Sequence, residues 1–206
     1  MEHMKYLEIA AARKRGPKWV AVRDVNDKEA GVQKYDMTNL PMKGVPDNCF
    51  DGIYSEHFIE HLFKYQGVNF FKEASRILKP GGIIRTVWPP YEFVEKLVSD
   101  ESLTQAENEF VEHYFQFYVQ RHNFAPSGNE HRSKREQCAL GLSYQNGEHL
   151  YVWPKKELME VCIDIGFTRV EEKLYNVSSL HEFNYIETPS QIRAAHSAVV
   201  EATKPA

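Results

Sequence analysis

The densest concentration of reactive side chains in the sequence is His57-Phe58-Ile59-Glu60-His61. Two imidazoles four residues apart share a face if the segment is helical. There they could hold a divalent metal while the glutamate acts as base on bound water. Ser55 and Glu56 stand immediately before this group, and His149 and Tyr151 form a second one far along the chain. With His57, these two are candidates for positioning or deprotonating an acceptor, because imidazole titrates near neutrality. The chain has nine histidines, so most must be structural or surface residues, and the elements around them decide which act.

Those elements begin as an alternation of strands and helices. Tyr6-Leu7-Glu8-Ile9, Trp19-Val20-Ala21-Val22 and Val32 to Tyr35 read as short strands. Phe50-Asp51-Gly52-Ile53-Tyr54 follows the Pro46-Asp47-Asn48 turn as a fourth. From about Val68 to Leu78, the residues Phe71, Ala74, Ile77 and Leu78 recur at helical spacing. Pro80-Gly81-Gly82 stops that helix, since proline cannot continue it and glycine permits a left-handed exit. Ile83 to Trp88 is a fifth strand. Strands separated by helices imply a parallel, covered sheet. Ser55, Glu56 and His57 then lie at the carboxyl end of strand four, the edge at which such sheets bind ligands. This context competes with the zinc-hydrolase reading of the histidine motif, because the motif directly follows a buried strand. Phe58, Ile59 and Leu62 face the core, and His61 pairs with nearby acids.

Beyond strand five, roughly Leu103 to Gln120 is helical, with more aromatic surface (Phe110, Tyr114, Phe115, Phe117, Tyr118) than one stripe needs. Core packing, a lid over a substrate and a homodimer face all fit. Asn123 to Gln137 is polar and loop-like. A helix opens at Pro154, where proline suits the first turn, and Gly166 caps it after Ile165. Thr168 to Leu174 and Ser197 to Ala202 are final strands. The loop carrying Pro189 between them is long enough for antiparallel pairing.

The chain has 206 residues, 42% hydrophobic and 26% charged, the profile of a soluble globular domain. A net charge of −4 argues against charge-driven binding to nucleic acid or an anionic membrane. No apolar run approaches a membrane span, and the N-terminus lacks a signal peptide's apolar core. The scattered Cys49, Cys138 and Cys162 suggest neither a disulfide framework nor a zinc site, which points to a reducing cytoplasm.

Taken together, Pro46 to His57, then Glu60-His61-Leu62, then Leu78-Lys79-Pro80-Gly81-Gly82 resemble the fourth strand and "LKPGG" turn of class I S-adenosylmethionine (SAM)-dependent methyltransferases. The nearest likeness is to a subgroup of small predicted methyltransferases with an "SEHxxEHL" element. Gly147-Glu148-His149-Leu150-Tyr151, Leu158, Gly166-Phe167 and Ser197 to Ala202 are similar to that subgroup's closing segments, so the resemblance covers most of the chain. It implies one α/β domain over residues 1–206. The sheet would be Rossmann-like and mostly parallel with an antiparallel C-terminal strand, its first βαβ unit shortened, and a helical insertion would fall at about 100–150. It further implies SAM as cofactor and methyl transfer to a small-molecule or glycan hydroxyl, with no metal.

Residue by residue, the resemblance makes Glu8 the acidic end of strand one. Ala10 and Ala12, flanking Ala11, replace the two glycines of the loop that follows. Glycine serves there because the turn needs unusual dihedrals and close approach to the cofactor. The alternative function is therefore a methyltransferase-like binding or scaffolding protein that has lost its SAM site. Ala12 to Trp19 is too short for a full helix. Arg13, Lys14 and Arg15 fall in that gap, where one of them binds the methionine carboxylate or the run is simply solvated. Asp24, with Arg23 competing for the slot, is the candidate for the ribose hydroxyls. Asp36 is the candidate for the adenine amino group, or else a turn cap before Asn39-Leu40-Pro41, and Met37 would pack on the ring. Ser55, Glu56 and His57 complete the cofactor edge.

Overall fold

All four residues of Tyr6–Ile9 (β1) are buried, as a central parallel strand with both faces covered requires. The computed structural model describes residues 5–10, 15–23, 33–187 and 190–206. Among them, β1 joins Trp19–Arg23 (β2), Gln33–Lys34 (β3), Phe50–Glu56 (β4), Leu78–Trp88 (β5), Thr168–Glu172 (β6) and Ala198–Thr203 (β7) in one sheet. The order is β3-β2-β1-β4-β5-β7-β6. β1 to β5 run parallel, β7 is antiparallel to β5, and β6 is antiparallel to β7. Ile9 is level with Val22 on one side and Ser55 on the other. Three strands thus end together where the strand order reverses, the topological switch at which open α/β sheets bind ligands.

One face of the sheet packs Leu7, Ile53, Ile84 and Val200 against Phe70, Phe71, Ala74 and Ile77 of the helix Lys64–Ile77 (α1) and against Leu158 and Cys162 of a C-terminal helix, Lys155–Ile165. Among the described residues, no such helix covers the centre of the opposite face. Tyr6, Tyr54, Val87 and Val199 are covered by Phe183 and Ile186, from a segment around a 3-10 turn at His181–Phe183. Between β5 and that C-terminal helix lie Tyr91–Val98 (α2), Gln105–Tyr114 (α3) and Lys134–Tyr144 (α4). Phe93, Leu97, Phe110, Tyr114, Cys138 and Leu142 give these helices an apolar cluster of their own. Lys155–Ile165 is α5, and a short helix, Gln191–Ala195 (α6), precedes β7.

Several boundaries differ from the sequence reading. α1 begins at Lys64 rather than Val68, because the Gln66 side chain accepts from the Phe63 amide at 2.9 Å and closes the first turn. Pro80-Gly81 lies inside β5, since the helix has already ended at Ile77 and Leu78 pairs with Phe50. The polar stretch to Gln137 is not loop throughout. Ser133 and Glu136 form a reciprocal capping box that starts α4. α3 gives way to a π-helical stretch over Phe115–Gln120. β3 is two residues long. The shortened first unit holds: no helix is present among the described residues between β1 and β2.

Arg85 ties this second face together. Its side chain is fully buried, with Nε donating to Glu187 at 2.5 Å and Nη1 to Glu201 at 2.8 Å. The Val177 and Leu174 carbonyls accept at 2.8 and 3.1 Å. Glu201 faces Arg85 across the β5–β7 ladder. Burial works against its charge, but Ser178, the Ser179 amide and Arg85 hold its carboxyl below the usual range. Removing the cation leaves two carboxylates in the interior. Arg85→Met should therefore cost about 3–5 kcal/mol, read as a lower urea midpoint at unchanged slope.

Candidate active site

β4 ends at Glu56, and the chain turns sharply at His57, whose φ of 50° lies in the left-handed region. That region is costly for a side chain with a β-carbon. The His57 amide still donates to the Val87 carbonyl at 2.8 Å, so the turn is anchored to β5. A 3-10 turn at Ile59–His61 follows. His57 and His61 therefore do not share a helical face, and the helical zinc pair expected of the histidine motif is not formed. The Glu60 carbonyl instead accepts from the Leu150 amide at 2.8 Å and the Tyr151 amide at 3.2 Å. This brings His149 beside His61, edge to face, with ring centroids 4.8 Å apart.

The loop bearing His149 is pinned a few residues on. Trp88 Nε1 donates to the Trp153 carbonyl at 2.9 Å. A β-carbon on Gly67 would stand 2.6 Å from the Trp153 ring, so α1 passes beneath that ring only as glycine.

Glu60 is fully buried, and neither carboxylate oxygen accepts a hydrogen bond from the described residues. His57 Nδ1 is 3.2 Å from Oε1, an ion-pair distance whenever the imidazole is protonated. Burial opposes ionisation, but His57, His61 and His149 outweigh it and hold the Glu60 carboxyl below its ordinary range. His149 is pushed the other way for an imidazole, since burial lowers its pKa. Its Nδ1–H donates to the Leu142 carbonyl. His61 Nδ1 lies 3.2 Å from the Glu148 carbonyl, and His57 Nε2 lies 3.3 Å from Ser197 Oγ. His196 packs 4.4 Å from the Phe110 ring and 5.4 Å from His57. Its burial, with His57 nearby, holds its pKa down to about 3.

Two cavities meet at these residues. One, of about 560 Å³, opens at the ends of β1 and β2 and is lined by Ile9, Ala10, Val22, Met37, Thr38, Phe58, Leu62, Gly147, Glu148 and Leu150. The other, of about 420 Å³, lies under the helical insertion. Its walls include Glu60, Phe110, His113, Tyr114, Tyr118, Phe124, Leu142, His149, Arg193 and His196. His57 and His61 line both. The aromatic segment is thus core at Phe110 and Tyr114 and roof over the second cavity.

The structure separates the expected site residues into groups. His57, Ala10 and Met37 line the first cavity, and His57 and His149 line the second. Glu8 is buried and held bidentately by Arg15 at 2.8 and 2.8 Å. Arg15 lies over the Trp19 and Tyr54 rings, at 5.7 and 5.4 Å. Asp36 is exposed and closes its own turn, accepting from the Thr38 amide at 2.9 Å and hydroxyl at 2.5 Å, which lowers its pKa. It does not line the cavity. Ser55 is buried in the sheet, 3.4 Å from Thr86 Oγ1. Glu56 is engaged by Tyr54 at 2.9 Å and by Tyr175 and Arg193 at 3.0 Å each. The Tyr151 hydroxyl donates to Glu157 at 2.6 Å, and Tyr151 lines neither cavity. Ala12, Arg13 and Asp24 lie outside the described residues. The sequence reading did not identify His196 or Arg193 and gave Glu60 a role only in the zinc motif. No pattern marks His196 beyond its place just before the last strand.

All three cysteines are free thiols, and no helix among the described residues is long and apolar enough to cross a membrane. Residues 5–86 match the family model of the methyltransferase domain. A search of curated proteins gives no match. Among solved structures, the chain is similar to a SAM-dependent methyltransferase from Archaeoglobus fulgidus, at TM-score 0.54 and 15% identity, covering 98% of this chain and 87% of that one. It is also similar to Burkholderia thailandensis 1,6-didemethyltoxoflavin-N1-methyltransferase, solved with 1,6-didemethyltoxoflavin and S-adenosylhomocysteine bound. There the TM-score is 0.52 at 15% identity, over 98% of this chain and 71% of that one. The fold is the one these two solved methyltransferases share, and residues 5–86 match the methyltransferase-domain model.

Two measurements probe this geometry. Ala10 has φ 57°, so Ala10→Gly should relieve more strain than glycine's extra unfolded-state entropy costs. The expected gain is about 0.5–1 kcal/mol, seen as a higher melting temperature. His196 resists a proton that the unfolded chain accepts near pH 6.5. Stability fully present above pH 6.5 should therefore fall as pH drops towards 5, with a slope approaching about 1.4 kcal/mol per pH unit. In His196→Gln, only the share due to His149 should remain.

Proposed function

We propose that this chain, which carries a methyltransferase domain on the class I SAM-dependent fold, binds SAM in the cavity at the ends of β1 and β2 and methylates a small hydroxyl compound held under the helical insertion. The observation that carries this reading is the pair of cavities sharing His57 and His61. A donor in the first can direct its methyl group at an acceptor in the second. Both volumes fall in the range of small-molecule pockets, roughly 300–1,000 Å³. The aromatic roof and Arg193 suit a compact acceptor with apolar and polar portions, a small molecule or a single sugar unit.

In this scheme Ile9 and Ala10 form the floor beneath the methionine part, and Met37 packs on the adenine. Methyl transfer demands chiefly in-line placement of acceptor oxygen, methyl carbon and sulfur. The oxygen's electron pair forms the O–C bond as the C–S bond breaks. The electron pair of the broken C–S bond stays on sulfur, leaving S-adenosylhomocysteine. The hydroxyl proton passes to His57 Nε2, whose Nδ1 side is turned to the buried Glu60. A neutral His196 beside it adds no competing charge.

Calorimetric titration tests the reading. Wild-type protein should bind SAM and S-adenosylhomocysteine one to one. Met37→Ala should weaken both about tenfold, the loss of a thioether side chain packed against a ring. Absence of binding at millimolar ligand, from folded protein, would support the cofactor-free scaffold instead.

A further inference from the structure

Glu60, His61 and His149 each offer a donor atom, and the three donors lie within 4.8 Å of one another. All three residues line the cavity under the insertion. We propose that they form a binding site for a divalent transition-metal ion, with zinc as the best fit.

Four observations converge on it. The Glu60 carboxylate is fully buried and anionic, and its oxygens accept no hydrogen bond from the described residues, so its lone pairs are open to a metal ion. The Nδ1 atoms of His61 and His149 are each taken by a backbone carbonyl, of Glu148 at 3.2 Å and of Leu142 respectively. That is the arrangement by which proteins orient ligating histidines: Nδ1–H is tethered and Nε2 is left as the donor. His57 stands behind the carboxylate, with Nδ1 3.2 Å from Oε1, where a supporting side chain steadies a ligating oxygen. Two imidazoles and one carboxylate match a catalytic zinc set with one position open to a ligand, and they suit zinc better than magnesium or calcium. Donors around tetrahedral zinc stand about 3.3 Å apart, so the trio closes by small side-chain rotations.

The fourth position faces the cavity. There an acceptor oxygen would bind the ion and lose its proton more readily. This last use rests on the methyl-transfer reading, whereas the ion site itself does not.

The test uses tag-free, full-length protein stripped with a chelator and titrated with zinc chloride, with metal content then counted by mass spectrometry. One zinc per chain is expected, and His61→Asn and His149→Asn should each weaken binding by roughly 100-fold or more. Wild-type protein loaded with cobalt should show the strong visible absorption of tetrahedral nitrogen and oxygen coordination, a readout that does not depend on how the variants fold. No stoichiometric zinc, an octahedral cobalt spectrum, or unchanged affinity in both folded variants would overturn the site. SAM titrated into the stripped and zinc-loaded protein separates the two ideas. SAM binding without zinc binding defeats the metal alone, and zinc binding without SAM binding defeats the methyl-transfer reading alone.

Discussion

Glu60 is the residue on which the two halves of the site depend. Its backbone carbonyl takes the amides of Leu150 and Tyr151, stitching the end of the sheet to the strap that follows the helical insertion. Its carboxylate, with no exposure, faces three imidazoles. An isolated buried carboxylate would cost several kcal/mol or take up a proton. The histidines reverse that preference and keep it anionic. One residue thus fixes where His149 stands and places a negative charge among His57, His61 and His149. Displacing the strap would both break two backbone hydrogen bonds and leave the charge without His149.

The strap is held independently by shape. α1 can pass under Trp153 only because Gly67 has no side chain, and Trp88 at the end of β5 holds the Trp153 carbonyl. Strain is kept at the neighbouring strand ends. Ala10 after β1 and His57 after β4 both have left-handed φ, 57° and 50°, although neither is glycine. The strands end level, so both strained turns open onto the same cavity. Residues in costly backbone conformations persist where the surroundings over-determine them, and such places cluster at functional sites. The Arg85 network does the opposite work on the second face, tying the 174–187 segment down through Glu187 and the Val177 and Leu174 carbonyls.

The strands were legible because they are short apolar runs: Tyr6–Ile9 stands as read, and β2, β4 and β5 deviate only at their ends. α1 and α5 were legible from periodicity and from Gly166. α4 was not, because the polar composition around it masked a Ser-x-x-Glu box that was present at Ser133 and Glu136. Within the site, sequence proximity misled where strand alternation decides direction. Ser55 points into the sheet, and Glu56 turns to Tyr54, Tyr175 and Arg193 rather than to the cavity at His57. Asp36 satisfied its carboxylate locally with Thr38, the commonest fate of an aspartate at a turn. His196 carried no signal at all. Its position follows from burial by Phe93 and Phe110, which only the folded insertion supplies.

The alanines in place of the glycine-rich loop bear on whether the first cavity can serve a cofactor. Ala10 adopts the backbone conformation that glycine would, and its methyl group becomes part of the lining rather than a plug, since about 560 Å³ of cavity stays open beside it. The acidic residue of β1 keeps its place but is neutralised by Arg15 within the protein. A carboxylate so paired presents less negative charge to the cavity than a free one would. With no helix among the described residues between β1 and β2, that pairing is one way to keep the floor compatible with a bound carboxylate, a task that a helix N-terminus otherwise performs. At position 10 the alanine therefore removes backbone freedom without closing the space beside it.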